Sequence, residues 1–131
     1  MSTDCVFCQI AAGEIPTELL YQDEEVIVFR DIKPITPVHL LVVSRKHIAS
    51  LAEMDDADTP LVGKMTRVAN QVAKEQSIAG SGYRLTINSG KESGQIVPHL
   101  HMHLMGGRRL KWEHKSLSGS SGTPDTPAAR R

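Results

Sequence analysis

Six residues near the C-terminal end carry most of the chemical information: His99-Leu100-His101-Met102-His103-Leu104. Along an extended strand successive side chains alternate faces, so the three histidines share one face and the three apolar residues the other. Leu100, Met102 and Leu104 would then anchor the strand in a core. The imidazoles would stand in a row at roughly 6–7 Å intervals, twice the rise per strand residue. A single strand histidine is usually satisfied by a nearby carbonyl; three in strict alternation ask for more. Two chemistries use such a row. One is metal ligation, since neutral imidazole is a common zinc ligand. The other is nucleophilic catalysis, in which the middle ring attacks an electrophile and its neighbours position it. Just upstream, Gly90 and Gly94 flank a small polar turn, and backbone N–H groups in such turns can approach a phosphate. The Gly94 backbone, the Gln95 amide and Asn88 add neutral donors. These favour an anionic, phosphate-bearing ligand, although the same two glycines also suit an ordinary hairpin loop.

A second constellation lies at the other end. Cys5 and Cys8 form a C-x-x-C pair. One helical turn or a tight loop brings both sulfurs to one side, where they can chelate zinc. The alternative is a reduced, partly buried thiol pair without metal. Two cysteines cannot build a disulfide framework and suit a reducing compartment.

The elements that must position these groups can be read from periodicity. Asp4 is placed to cap a short helix over 5–12, which Gly13 stops. Leu19 to Tyr21 reads as a strand, and Val26 to Asp31 as a second, rich in β-branched and aromatic residues. A loop with Pro34 and Pro37 follows, then a strongly apolar strand from Val38 to Val43. One hairpin and a third strand suggest an antiparallel meander. Thr59 is a plausible cap for a long helix with Pro60 in its first turn. Leu61, Val62, Met65, Val68, Ala69 and Val72 fall on one stripe of it. Tyr83 to Asn88 and His99 to Met105 complete the strands. From Glu113 the composition turns small, polar and basic. Such a segment cannot bury enough apolar surface to order itself. The expected division is therefore a domain over 1–112 and a flexible tail over 113–131.

The 131 residues, 40% hydrophobic and 23% charged, suit one domain whose core hides roughly two-thirds of the unfolded surface. Lysines and arginines number 15, as do the acids. That balance argues against a general nucleic-acid binder, which needs a basic surplus. No apolar run approaches the roughly 18 residues of a membrane span, and residues 1–8 carry no basic or apolar leader. The expectation is a cytoplasmic protein with neither nucleic-acid nor membrane partners.

Gly94-Gln95-Ile96-Val97-Pro98-His99-Leu100-His101-Met102-His103-Leu104 resembles the signature of the histidine triad family. Met105-Gly106-Gly107-Arg108 resembles its nucleoside-phosphoramidate-hydrolysing (Hint) branch more than the branch that hydrolyses dinucleoside polyphosphates. Cys5-Val6-Phe7-Cys8, Glu14-Ile15-Pro16, Phe29-Arg30-Asp31-Ile32, Thr36-Pro37-Val38-His39 and Arg45-Lys46-His47-Ile48 agree in order and spacing. The likeness runs from about residue 4 to Trp112. It implies an α+β fold, with a five-stranded antiparallel sheet, one long and one short helix, and a two-fold homodimer. It implies a purine nucleotide substrate, a nucleoside 5′-phosphoramidate or related conjugate, and no cofactor for the chemistry. His101 matches the nucleophile, His103 a donor toward the phosphate or leaving group, His39 a fourth active-site histidine, and His99 completes the triad. Asp31 matches the acid that holds the ribose hydroxyls; Phe7, Phe29, Ile32 and Leu41 match walls around the base. Asn88, Gly94, Gln95 and Ile96 would border the phosphate. Ile96 stands where some members of the branch carry a serine, so no hydroxyl is available there to protonate a leaving amine. Arg30 stands where the branch often has a neutral ring. His47 and His99 resemble the positions that complete a structural Cys2His2 zinc site with Cys5 and Cys8. Other functions consistent with these residues are a dinucleoside polyphosphate hydrolase, a non-catalytic nucleotide-binding regulator, and a catalytic zinc site. The last lacks an acidic general base beside the row, because Glu92 lies in the turn.

Overall fold

The structure is a computed structural model and describes residues 4–111. The expected tail, 113–131, lies outside the described residues. The elements are α1 (Val6–Ala11), β1 (Tyr21–Gln22), β2 (Val26–Arg30), β3 (Val38–Ser44), α2 (Thr59–Glu75), β4 (Tyr83–Thr86) and β5 (His101–Gly106). Short 3-10 turns cover Leu51–Glu53, Asp56–Asp58 and Lys91–Ser93. The strands form one antiparallel sheet in the order β1-β2-β3-β5-β4. This is the expected α+β architecture, with β5 inserted between β3 and β4.

Strand alternation splits the interior into two layers. Even-numbered residues of β2, β3 and β5 (Val26, Val28, Leu40, Val42, Met102, Leu104) meet the apolar stripe of α2, including Leu61, Met65, Val68 and Val72. Odd-numbered residues of β2 and β3 (Ile27, Phe29, Leu41, Val43) meet Cys5 and Phe7 at the start of α1. Burying both faces of β2 and β3 explains why these strands read as nearly continuous apolar runs. The histidines belong to the α1 side.

Strand ends shift by one or two residues, β1 lying at Tyr21–Gln22 and β4 ending at Thr86, and three further boundaries differ from the sequence expectation. Cys5, and not Asp4, caps α1: its Sγ accepts the Cys8 backbone N–H at 3.4 Å. Asp58 precedes α2, and Thr59 is its first residue. Most consequential, β5 begins at His101, two residues later than expected. Pro98 has no N–H to offer a ladder, and the His99 N–H turns back to the Val97 carbonyl at 2.8 Å. His99 therefore precedes the ladder, although its ring stays on the α1 side, where Phe7 meets both it at 5.8 Å and His101 at 5.1 Å. Among the described residues no helix is long and apolar enough to cross a membrane.

Candidate active site and metal centre

His101 and His103 project from β5, and register places Val43 and Leu41 opposite them on β3. Their ring centroids are 5.1 Å apart. His39 pairs with Met105, so it lies diagonally from His103, within side-chain reach across the strands. The insertion of β5 beside β3 thus brings together histidines more than sixty positions apart.

The protonation of His101 follows from its backbone partner. Its Nδ1–H donates to the His99 carbonyl at 2.6 Å. A neutral imidazole has one proton, so Nε2 presents a lone pair. Burial lowers the pKa of His101, and the Asp31 charge opposes this only in part. Phe7 closes against the ring edge-on, with centroids 5.1 Å apart at 89°, and also meets Phe29 at 5.5 Å. The ring is held in one orientation with an unprotonated nitrogen, as a nucleophile must be.

Beside it, the Ile35 backbone N–H donates to His39 Nδ1 at 3.0 Å. His39 Nε2 lies 3.0 Å from His103 Nδ1 and 3.3 Å from Asp31 Oδ2. The other Asp31 oxygen accepts the Lys33 N–H at 2.8 Å. Arg108 ties the same loop to β5 by donating to the Ile35 carbonyl at 3.1 Å.

His99, which also packs edge-on against Phe7 at 5.8 Å, turns its Nδ1 toward a second cluster. Its Nδ1 is 3.2 Å from Cys5 Sγ, 3.6 Å from Cys8 Sγ and 3.2 Å from His47 Nδ1, while Cys8 Sγ is 3.2 Å from His47 Nδ1. The four donor atoms all lie within 4.8 Å of one another. Ligands held on zinc at ordinary bond lengths stand about 3.3–3.8 Å apart at tetrahedral corners, so little movement separates this cluster from a coordination sphere. Protonation agrees: His99 Nε2–H donates to the Ser44 carbonyl at 2.6 Å, which leaves Nδ1 bare toward the sulfurs. A ligating histidine is normally fixed through its other nitrogen in this way. Burial and the hydrogen bond with Cys5 push the Cys8 thiol up to about 11, a preference for the neutral form that a cation would reverse. These four residues can hold a metal.

Asp31, His39 and His103 also cluster within ligand distance, but their hydrogen bonds oppose ligation. The Ile35 N–H occupies His39 Nδ1, so Nε2 carries the proton and offers no lone pair.

The remaining expected residues divide. Phe7, Phe29 and Leu41 are buried around the histidines. Ile32 and Ile96 are 91% and 89% exposed, apolar groups left open to solvent. Arg30 is also exposed and pairs with Glu18 at 2.6 Å. Asn88 is half-buried. Gly94 takes a left-handed conformation (φ 93°) that closes the Lys91–Ser93 turn, and its N–H is spent on the Lys91 carbonyl at 3.2 Å. The Gln95 side chain is saturated inside the loop. It donates to the Ala49 and Val97 carbonyls at 2.8 and 2.9 Å and accepts the Gly90 N–H at 2.7 Å. Neither group is a free donor here; both brace the segment that delivers His99. Sequence reasoning missed the Ile35 amide and the Ser44 carbonyl. Backbone groups have no residue signature; the sequence shows only a serine following the apolar run of β3, and its full burial emerges from the structure.

A face of sheet that presents one imidazole with a bare nitrogen beside two more, next to a second Cys/His cluster, belongs with a known class. The chain belongs to the histidine triad family. A family model described as scavenger mRNA decapping enzyme C-term binding matches residues 4–116. The purine nucleoside phosphoramidase of Escherichia coli is 39% identical over 119 residues, covering 89% of this chain and 100% of that one. A histidine triad protein from Clostridium difficile superposes with a TM-score of 0.84 at 39% identity, covering 87% of this chain and 99% of the other. A zinc-bound histidine triad family protein from Mycobacterium smegmatis gives a TM-score of 0.71 at 30% identity, covering 82% and 78%.

Proposed function

We propose that this protein is a hydrolase of purine nucleoside 5′-phosphoramidates and related nucleotidyl conjugates, acting through a nucleotidyl intermediate on His101. The observation that carries this reading is the His101 tautomer, fixed by the His99 carbonyl with Nε2 unprotonated. The Nε2 lone pair attacks the α-phosphorus. The P–N bond breaks, and its electron pair leaves on nitrogen, which takes up a proton. The nucleotidylated ring is then cationic, and its Nδ1–H bond to the His99 carbonyl becomes charge-assisted and stronger. Water attacks phosphorus, nucleoside 5′-monophosphate departs and His101 recovers its lone pair. Two displacements replace one more difficult step.

Asp31 would hold the ribose hydroxyls, with Phe7, Phe29, Leu41 and the exposed Ile32 around the base. Asn88 and the loop of Gly94, Gln95 and Ile96 would border the phosphate. Cys5, Cys8, His47 and His99 would bind zinc as a structural ion with no open position, and no step of the chemistry passes through it. The E. coli relative, described as a purine nucleoside phosphoramidase, supports the substrate class. The same reading makes the working unit a cytoplasmic two-fold homodimer of the 1–112 domain.

The test is His101→Ala assayed with adenosine and guanosine 5′-phosphoramidates, alongside rapid acid-free quenching of the wild type with phosphorus-labelled substrate. Release of monophosphate should vanish in the variant while nucleotide still binds, and label should be trapped on an imidazole. Persistent turnover by the variant would remove His101 as nucleophile. A preference for diadenosine polyphosphates over both phosphoramidates would favour dinucleoside polyphosphate hydrolysis instead.

A further inference from the structure

We infer that His103 serves the reaction as a neutral hydrogen-bond donor to a phosphoryl oxygen and is not the source of the proton that leaves with the amine. This rests on the phosphoramidase reading above and assigns roles within it. The argument begins at the Ile35 backbone amide, which can only donate. Its N–H points at His39 Nδ1 at 3.0 Å. That nitrogen must be bare, so His39 is neutral and carries its proton on Nε2. The Nε2–H then faces His103 Nδ1 at 3.0 Å, with Asp31 Oδ2 at 3.3 Å as a second acceptor. A nitrogen that receives an N–H must itself be bare. His103 is therefore neutral too, with its single proton on Nε2.

The chain leaves His103 no route to act as an acid. As an imidazolium it would set its Nδ1–H against the Nε2–H of His39. As a neutral ring, losing the Nε2 proton would leave an imidazolate. The charged and titratable groups around it are Asp31 from the loop after β2, His39 from β3 and His101 from β5. Burial and the two histidines lower its affinity for a second proton, against the pull of Asp31. Among the described residues its polar contacts all run through Nδ1, so Nε2–H is unspent. His101 and His103 are thus opposite tautomers side by side: one offers phosphorus a lone pair, the other offers its oxygen a proton to share. With no hydroxyl on Ile96, the amine takes its proton from water. Over both steps one water is consumed, its proton leaving on nitrogen and its hydroxide ending on phosphorus.

His39 acts through His103 and is a positioning residue. Two measurements test the scheme on the full chain. Long-range proton–nitrogen NMR of the histidine rings should find bare Nδ1 and protonated Nε2 in both His39 and His103 at neutral pH. In His39→Ala the His103 signals should move toward a tautomer mixture. A protonated His103 Nδ1 in the wild type overturns the inference.

The second measurement compares two adenosine 5′-phosphate conjugates, an alkyl phosphoramidate and a p-nitrophenyl ester whose phenolate departs without a proton. His103→Ala should lower kcat on both by the same factor, on the order of 10²-fold, as for loss of one oxyanion donor. His103→Gln, whose amide donates but cannot give up a proton, should recover part of the rate on both. A loss at least about tenfold greater on the phosphoramidate, unrescued by glutamine, would identify His103 as the acid and overturn the inference while leaving the phosphoramidase reading intact. Failure of the wild type to turn over either compound would remove that reading and this inference with it.

Discussion

Gly107→Ala offers the sharpest test of how the loop between β2 and β3 is held against the site. Gly107 has φ 97°, a conformation that side chains rarely adopt. A Cβ there would stand 2.9 Å from Pro37 Cβ, 3.3 Å from Pro37 Cγ and 3.4 Å from the Val38 nitrogen. Two costs add. Backbone strain at such a φ is about 1–3 kcal/mol, and forcing a methyl into filled space costs about 1–3 kcal/mol more. The proline ring is rigid, so the loop carrying Asp31 and Ile35 must move as a body. The expected loss is at least about 2 kcal/mol in denaturant unfolding, or roughly 8 °C in Tm for a domain of this size, with a fall in kcat as the Ile35–His39 contact opens. Gly106→Ala is the control. Its Cβ would meet Ile78 Cδ1 at 2.9 Å, on the α2 side, so it should destabilise through crowding alone and leave the His39 NMR signals in place. Pro37→Gly removes both of the nearest proline atoms. In a double-mutant cycle it should relieve about 1–2 kcal/mol of the Gly107→Ala cost, the steric share, and leave the backbone share. A Gly107→Ala protein no less stable than Gly106→Ala, with unmoved His39 signals, would refute this account of the loop.

Two further outcomes are expected. The reduced protein should bind one equivalent of zinc or cobalt per chain and release thiol protons as it does so, because bound thiols are deprotonated. Direct metal analysis of Cys5→Ser or His47→Ala should show that equivalent lost, and unchanged content in both would discard the ligand set. In the metal-free protein, burial holds His101 and His103 below the ordinary histidine pKa, so below about pH 6.5 the unfolded chain binds more protons than the folded one. Their contribution to stability is therefore complete above that pH and is lost as the pH falls through their lowered values. Urea midpoints at pH 7.5 and 5.5 should show a decline toward acid, and a rise would contradict it.

Local periodicity was legible because backbone geometry imposes it wherever a segment is regular. The alternation through His101, Met102, His103 and Leu104, the stripe from Leu61 to Val72 and the Cys5/Cys8 spacing all read correctly without coordinates. The two-sided burial of β2 and β3 left its mark as nearly continuous apolar runs, though those runs by themselves read only as apolar strands. The same alternation placed His99 on the face of His101, where Phe7 meets both rings. It ran the ladder two residues too far, since Pro98 starts a turn and the His99 ring nitrogens face the Ser44 carbonyl and the cysteine cluster. Strand order was beyond reach, because it depends on contacts between distant segments. Setting β5 beside β3 brings His39 to His103, and folding β3 back past α1 brings His47 to Cys8. The proton positions depended still more on tertiary structure. They are set by the Ser44 and His99 carbonyls and the Ile35 amide, groups that every residue carries and no residue type announces. Composition and spacing decided which side chains this protein has for its chemistry. The packed backbone decided which nitrogen of each ring holds the proton, because a hydrogen-bond partner has a direction only once the chain has folded around it.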